Sequence, residues 1–236
     1  SEDADGVAID IKMEGNPEFF EITFEEELNI MMEINGKWYV FYHRQTGVNE
    51  FSRQAMLEPI DVAMGKDGML YIGNVRFLNG EPVSSGPVEM TSQGAHINGL
   101  DAYKWISAGY ACHIYGGSTR AYVKPVYEKR ADISAPVVGI SSGTTVGFRY
   151  LQFGNNAPKA VRVVLGSHRK LKLNIRIDSY NGRIAASMDF NENQKELETA
   201  LDFGIVGRHA VYFEFLSDEE GEIAEFDRFS FVSEDE

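Results

Sequence analysis

The chain has 236 residues, enough for one large domain or two of ordinary size, and its apolar share of 43% supports a packed core and excludes global disorder. The formal net charge of −14 disfavours nucleic acid and anionic membrane as partners and is compatible with a neutral one. One cysteine, Cys112, excludes an intrachain disulfide and a cysteine-rich zinc site. No apolar run is long enough to span a bilayer, and no secretory leader is visible.

Residues 1–6 are polar and acidic and read as a frayed end or loop edge. Residues 7–12 alternate and read as a strand, as do 19–24. The run Glu25-Glu26-Glu27 reads as a solvated edge. Asn35-Gly36 signals a type I′ hairpin, because both central residues of that turn need positive φ. In the strand that follows, Trp38, Val40, Tyr42 and Arg44 share one face, and Tyr39, Phe41 and His43 share the other. Aromatics on both faces predict cover on both sides. A turn at 46–49 and a strand from Phe51 come next. Pro59, Gly65, Asp67 and Gly68 mark loops. Residues 69–72 and 75–78 read as a pair, Asn79-Gly80 as a turn, 82–86 as a loop and 88–91 as a strand.

A loop at 92–99 and a short helical turn at 101–105 lead to the strand-like run 109–115, where Cys112 reads as a small buried hydrophobe. The glycines at 116–117 suggest a domain boundary near 118, giving parts 1–118 and 119–236. Beyond it, strands are expected at 122–127, 145–153, 160–165, 171–177, 183–186, 209–215 and 226–231. Leu171, Leu173, Ile175 and Ile177 face one way, and Lys172, Asn174 and Arg176 the other. One wet and one dry face per strand at this pitch predicts an antiparallel β-sandwich. Residues 193–201 are the one helical candidate, equally readable as a loop.

Three blocks carry a resemblance. Residues 35–46, with Phe51-Ser52-Arg53-Gln54 and Glu58-Pro59-Ile60, resemble the last propeller blade of family 43 glycoside hydrolases. Those are five-bladed β-propellers that cut xylose- and arabinose-containing polysaccharides. Residues 86–94 and 108–112 resemble that family's passage into an appended sandwich. The strands at 143–154, 161–166, 171–177, 207–213 and 226–231 are similar, in their order, to the family 6 carbohydrate-binding module. That module is a jelly roll that binds sugar in a loop-edge cleft or on one sheet face. The resemblance implies an all-β chain, with partial propeller blade or blades and a connector followed by a jelly-roll β-sandwich. It implies the C-terminal portion of a plant-polysaccharide hydrolase of β-xylosidase or α-L-arabinofuranosidase type, extracellular or periplasmic. The alternative is a stand-alone, non-catalytic carbohydrate-binding or scaffold protein.

In the family the catalytic carboxylates lie in the first four blades, so the resemblance assigns none to this chain. A second chain or fragment would supply them and complete the propeller, because a lone blade leaves sheet edges open. The family's metal-holding histidine has no counterpart at 26–29, which read Glu-Glu-Leu-Asn. The matching positions are Arg53, Gln54, His43 and Arg44; an arginine there could donate paired hydrogen bonds to sugar hydroxyls, or be satisfied within the blade. In the sandwich the aromatic and amide candidates are Tyr150, Tyr180, Tyr212, Phe226, Asn155, Asn156 and Asn181. Of these Tyr180 and Asn181 sit at a hairpin tip, where an exposed ring is most telling. The family's cleft residues are unmatched at 135–140 and 223–225. The resemblance also implies a structural calcium held by Asp227, with Glu128 nearby; calcium takes six or more oxygens. No phosphate loop or nucleophile elbow occurs.

Overall fold

The computed structural model describes residues 19–24, 27–45, 53–93, 96, 99–126 and 135–233; for 19–30, 44, 45 and 53–55 it describes the backbone alone. The chain divides into two compact units, Ser1–Arg44 with Ala55–Met90, and Gln45–Gln54 with Thr91–Glu236. Among the described residues no helix is long and apolar enough to cross a membrane.

The first unit is built on a five-stranded sheet in sequence order: β1 (Phe19–Phe24), β2 (Glu27–Ile34), β3 (Lys37–Gln45), β4 (Arg53–Met64) and β5 (Leu70–Gly73). Asn35 and Gly36 take φ of 53° and 76°, as the I′ turn requires, and pair Ile34 with Lys37. Tyr39 is fully buried, and the Tyr42 hydroxyl donates to buried Glu58 at 3.2 Å. Strands β6 (Val75–Leu78) and β7 (Glu81–Ser84) form a separate hairpin about Asn79-Gly80.

Several local readings change. Pro59 lies inside β4 rather than in a loop; the β4–β5 ladder starts only at Asp61, so the missing proline N–H interrupts no bond to β5. Residues 70–73 pair with β4, and 75–78 pair with 81–84, so the expected pairing of 69–72 with 75–78 gives way to two hairpins. Residues 88–91 form no strand. The expected strand at 7–12 and turn at 46–49 lie outside the described residues.

The second unit is a sandwich. Its strands are β8 (Leu100–Asp101), β9 (Ile106–Ser107), β10 (His113–Tyr115), β11 (Tyr122–Val123), β12 (Val137–Ile140), β13 (Thr145–Gln152) and β14 (Ala160–His168). They continue as β15 (Leu171–Ile177), β16 (Ile184–Phe190), β17 (Glu196–Ala200), β18 (Arg208–Leu216) and β19 (Ala224–Val232). One sheet runs β10-β13-β18-β15-β16, with β8 against β13; the other runs β11-β12-β19-β14-β17, with β9 against β19. Because β8, β9 and β10 hydrogen-bond into these sheets, residues 100–115 belong to the sandwich, and the units divide after Met90 rather than near 118. Of residues 193–201, 196–200 form a strand rather than a helix: β17 pairs along β14, with Leu197 packed against the core between exposed Glu196 and Glu198, and 193–195 lead into it from a turn.

Phenylalanines from both sheets lock together inside. Phe229 of β19 lies 4.6 Å from Phe213 of β18 and 4.7 Å from Phe148 of β13, measured between ring centres. All three are fully buried. Phe148→Ala is expected to cost about 3–5 kcal/mol in urea denaturation; a loss below about 1 kcal/mol would show that the rings repack freely.

Candidate functional site

The alternation that sends Phe148, Phe213 and the leucines of β15 inward sends another set of side chains outward from the same sheet. Two rows cross its five strands. One runs Tyr115, Thr145, Glu214, Asn174, Ser187; the other runs His113, Gly147, Tyr212, Arg176, Ile184. Gly147 makes room: a Cβ there would lie 2.6 Å from the Tyr212 ring and 3.1 Å from His113 Cβ. The aromatic rings pack edge to face in a chain. His113 lies 5.8 Å from Tyr212 and 4.6 Å from Tyr115, and Tyr115 lies 5.5 Å from Tyr180 at 82°. Tyr115 and Tyr180 are 41% and 53% exposed, whereas Tyr212 is buried beneath them.

Polar groups brace this surface. Arg149 Nε donates to the Tyr212 hydroxyl at 2.9 Å. Glu214 Oε2 accepts from Arg176 Nη2 at 2.8 Å, Arg176 Nε at 3.1 Å and Asn174 Nδ2 at 3.0 Å. Ser187 donates to Asn174 Oδ1 at 2.8 Å. Arg176 Nη1 also donates to the Gly182 carbonyl at 2.9 Å, tying the β15–β16 hairpin, which carries Tyr180, to the sheet. At the hairpin's base, His209 Nδ1 lies 2.9 Å from Asp178 Oδ1. Burial holds the His113 pKa below its usual value, and the Arg149 charge lowers it further. Burial raises the Tyr115 pKa, against a hydrogen bond with Thr145 that lowers it. Both rings are therefore uncharged at neutral pH. The result is an uncharged cluster of edge-to-face rings with hydrogen-bonded polar groups beside it.

The sequence candidates land unevenly. Tyr180 stands on this surface, and Asn181 beside it has its side-chain oxygen engaged by Ser179. Tyr212 forms the floor. The Tyr150 ring lies 4.3 Å beneath the Arg208 guanidinium, and Phe226 is core rather than surface. His43 is half-buried on β3; Arg44, Arg53 and Gln54 lie in β3 and β4, where the backbone alone is described. His113, Tyr115, Arg149 and Glu214 were not singled out from sequence, although the wet face of β15 pointed to Asn174 and Arg176.

A separate cleft of about 500 Å³ opens at the edge of the other sheet. It brings together the two segments that fail to match the family, at Val138-Gly139 and Glu222–Glu225, with Tyr122, Lys124, His168 and Arg169. Tyr122 and His168 are its only rings among the described residues, set among the charged Lys124, Arg169, Glu222 and Glu225. Asp227 sits at a bulge of β19, where Arg228 and Phe226 face successive residues of β14, and its carboxylate lies 3.9 Å from Arg228. Burial raises its pKa, opposed by Arg228 and helped by Glu225. Glu128 lies outside the described residues. Among the described residues no three metal-binding side chains cluster, so these do not assemble the implied calcium set.

No family model matches the chain. The fold is that of an all-β protein, with a five-stranded sheet in one unit and a β-sandwich in the other. The chain is similar to a xylosidase/arabinosidase of Thermoclostridium stercorarium, 25% identical over 201 residues that cover 78% of this chain and 38% of that protein. Its fold resembles a family 43 arabinoxylan arabinofuranohydrolase from Bacillus subtilis, solved with cellotetraose, at TM-score 0.57 and 19% identity, covering 87% of this chain and 40% of that one. A family 6 carbohydrate-binding module from Clostridium cellulolyticum, solved with xylose, aligns at TM-score 0.47 and 17% identity over 57% of this chain and 100% of the module. The resemblance to family 43 hydrolases thus extends over most of the chain, which spans about two-fifths of the length of these longer relatives.

Two outcomes follow from the geometry. A histidine whose pKa is lowered by folding stabilises the protein fully above its unfolded value of 6.5, and that stability falls as pH drops toward the folded value. The thermal midpoint should therefore fall below about pH 6.5, and His113→Gln should flatten the fall; an unchanged slope would contradict the burial argument. Gly147→Ala should cost about 1–3 kcal/mol by driving the Tyr212 ring off the sheet, which urea denaturation would read.

Proposed function

We propose that this chain is the sugar-binding, non-catalytic portion of a plant-polysaccharide hydrolase of xylosidase/arabinofuranosidase type, and that its sandwich holds xylan-type chains on the Tyr115–Tyr180 surface. The observation that carries the reading is this pair of exposed rings, braced beside the Arg176–Glu214–Asn174 network. Aromatic faces pack against the C–H face of a pyranose, and the flanking amide, guanidinium and carboxylate groups take its hydroxyls. The similarity to a xylosidase/arabinosidase favours pentose polymers as the ligand. The catalytic carboxylates belong to blades contributed from outside these residues, and Arg53, Gln54, His43 and Arg44 would serve the pocket of the completed propeller.

The test is affinity electrophoresis in gels containing soluble arabinoxylan. The wild-type chain should be retarded. Tyr180→Ala and Tyr115→Ala should each weaken binding on the order of tenfold, about 1.4 kcal/mol, and Tyr180→Phe should retain it. The chain alone should not hydrolyse nitrophenyl arabinoside. Unretarded wild-type migration, or hydrolysis by the purified chain, would contradict the reading.

A further inference from the structure

The opposite face of the sandwich carries a second aromatic that the surface above does not use. Trp105 leads into β9, which pairs with β19 at Phe229 and Arg228. The residue remains 44% exposed. Two guanidinium groups approach it, Arg228 at 5.0 Å and Arg162 at 5.8 Å from the ring centre. The register explains why they meet. Arg162 of β14 stands opposite Ser230 of β19 and Glu198 of β17, while Val164 stands opposite Arg228 and Glu196. These side chains therefore lie side by side across three strands. Arg162 Nε and Nη2 donate to Glu198 Oε2 at 3.1 and 3.0 Å, and Glu196 lies 3.8 Å from Arg162 Nε. Arg228 pairs with Asp227 at 3.9 Å.

This arrangement is more than a tryptophan left at the surface. Arg162 is held by Glu198, and Arg228 lies 3.9 Å from Asp227, so the indole has charged neighbours of both signs at its rim. Glu196 and Glu198 lie on β17, the edge strand of its sheet. The charges also choose the ligand. Arg162 and Arg228 are matched by Glu196, Glu198 and Asp227, so the patch offers no positive field to attract an anion. An uncharged pyranose chain is complementary to it: the ring stacks on its C–H face, and the guanidinium and carboxylate groups bond its hydroxyls.

We propose that the Trp105–Arg162–Arg228 surface is a second binding site for neutral polysaccharide, on the sheet opposite Tyr115 and Tyr180. The two outer faces of a sandwich point away from each other, so one chain then joins two separate polysaccharide strands. The inference rests on the reading of the chain as a polysaccharide binder, and the experiment separates the two claims.

Light scattering is followed as the protein is titrated into soluble arabinoxylan, alongside affinity electrophoresis. Cross-linking predicts a particle mass that rises to a maximum at an intermediate protein-to-polymer ratio and falls with excess protein. Trp105→Ala should abolish the maximum and reduce gel retardation to that of a single site, while Trp105→Phe restores both. Tyr180→Ala should also abolish the maximum, which excludes self-association of the protein as its cause. Retardation of the wild-type chain without a scattering maximum overturns the second site and leaves the first standing. A maximum of equal height with Trp105→Ala does the same. No retardation of the wild-type chain overturns both.

Discussion

The interlocking of Phe148, Phe213 and Phe229 between the two sheets is the constraint on which the rest depends. A strand has a side-chain period of two, so seating these rings inside decides what every neighbouring position does. On β18, burying Phe213 and Phe215 puts Tyr212 and Glu214 outside. On β15, burying Leu173 and Ile175 puts Asn174 and Arg176 outside. A slip of one residue would drive arginine and glutamate into the core, where an unpaired charge costs several kcal/mol, and would lift phenylalanine into water. The Tyr115–Tyr180 surface is thus the reverse side of the core. Its ordering needs little beyond the packing already required for folding.

Within that frame, polarity is arranged to hold rings still. Glu214 Oε2 takes three donors, so Arg176 and Asn174 are fixed without a buried unpaired charge. His113 and Tyr115 are shifted toward their neutral forms. A neutral platform suits a neutral polymer, and the strongly negative chain as a whole does not compete for it. On the proposed reading, this ordering precedes ligand binding and lowers its entropic cost.

Much of the architecture was legible in the sequence because it rests on local chemistry. Asn-Gly turns at 35–36 and 79–80 demand positive φ, and both hairpins form there. Clean alternation in 171–177 gave both the strand and its wet face. The misreadings come where the deciding contact is distant. Pro59 looks like a breaker until one knows that the ladder to β5 begins after it. Residues 193–201 pack only Leu197 and Leu201 against the core, too little for a clear period-two signal, yet pairing with β14 makes 196–200 a strand. The boundary near 118 followed a pair of glycines, whereas β8, β9 and β10 are captured by strands far along the chain. The candidate surface was half visible for the same reason. Tyr180 marks itself as a ring at a hairpin tip, but His113 and Tyr115 acquire meaning only when β10 docks beside Gly147.

The central claim is that the sheet face, and not the charged loop-edge cleft, holds a xylan chain. Titration of the isotope-labelled protein with a xylo-oligosaccharide, followed by NMR, tests it most directly. The account predicts that the resonances that move first and furthest belong to Tyr115, Tyr180, His113 and their strand neighbours. Saturable shifts confined to Tyr122, Lys124, His168 and Glu222, with the tyrosine face unmoved, would contradict it.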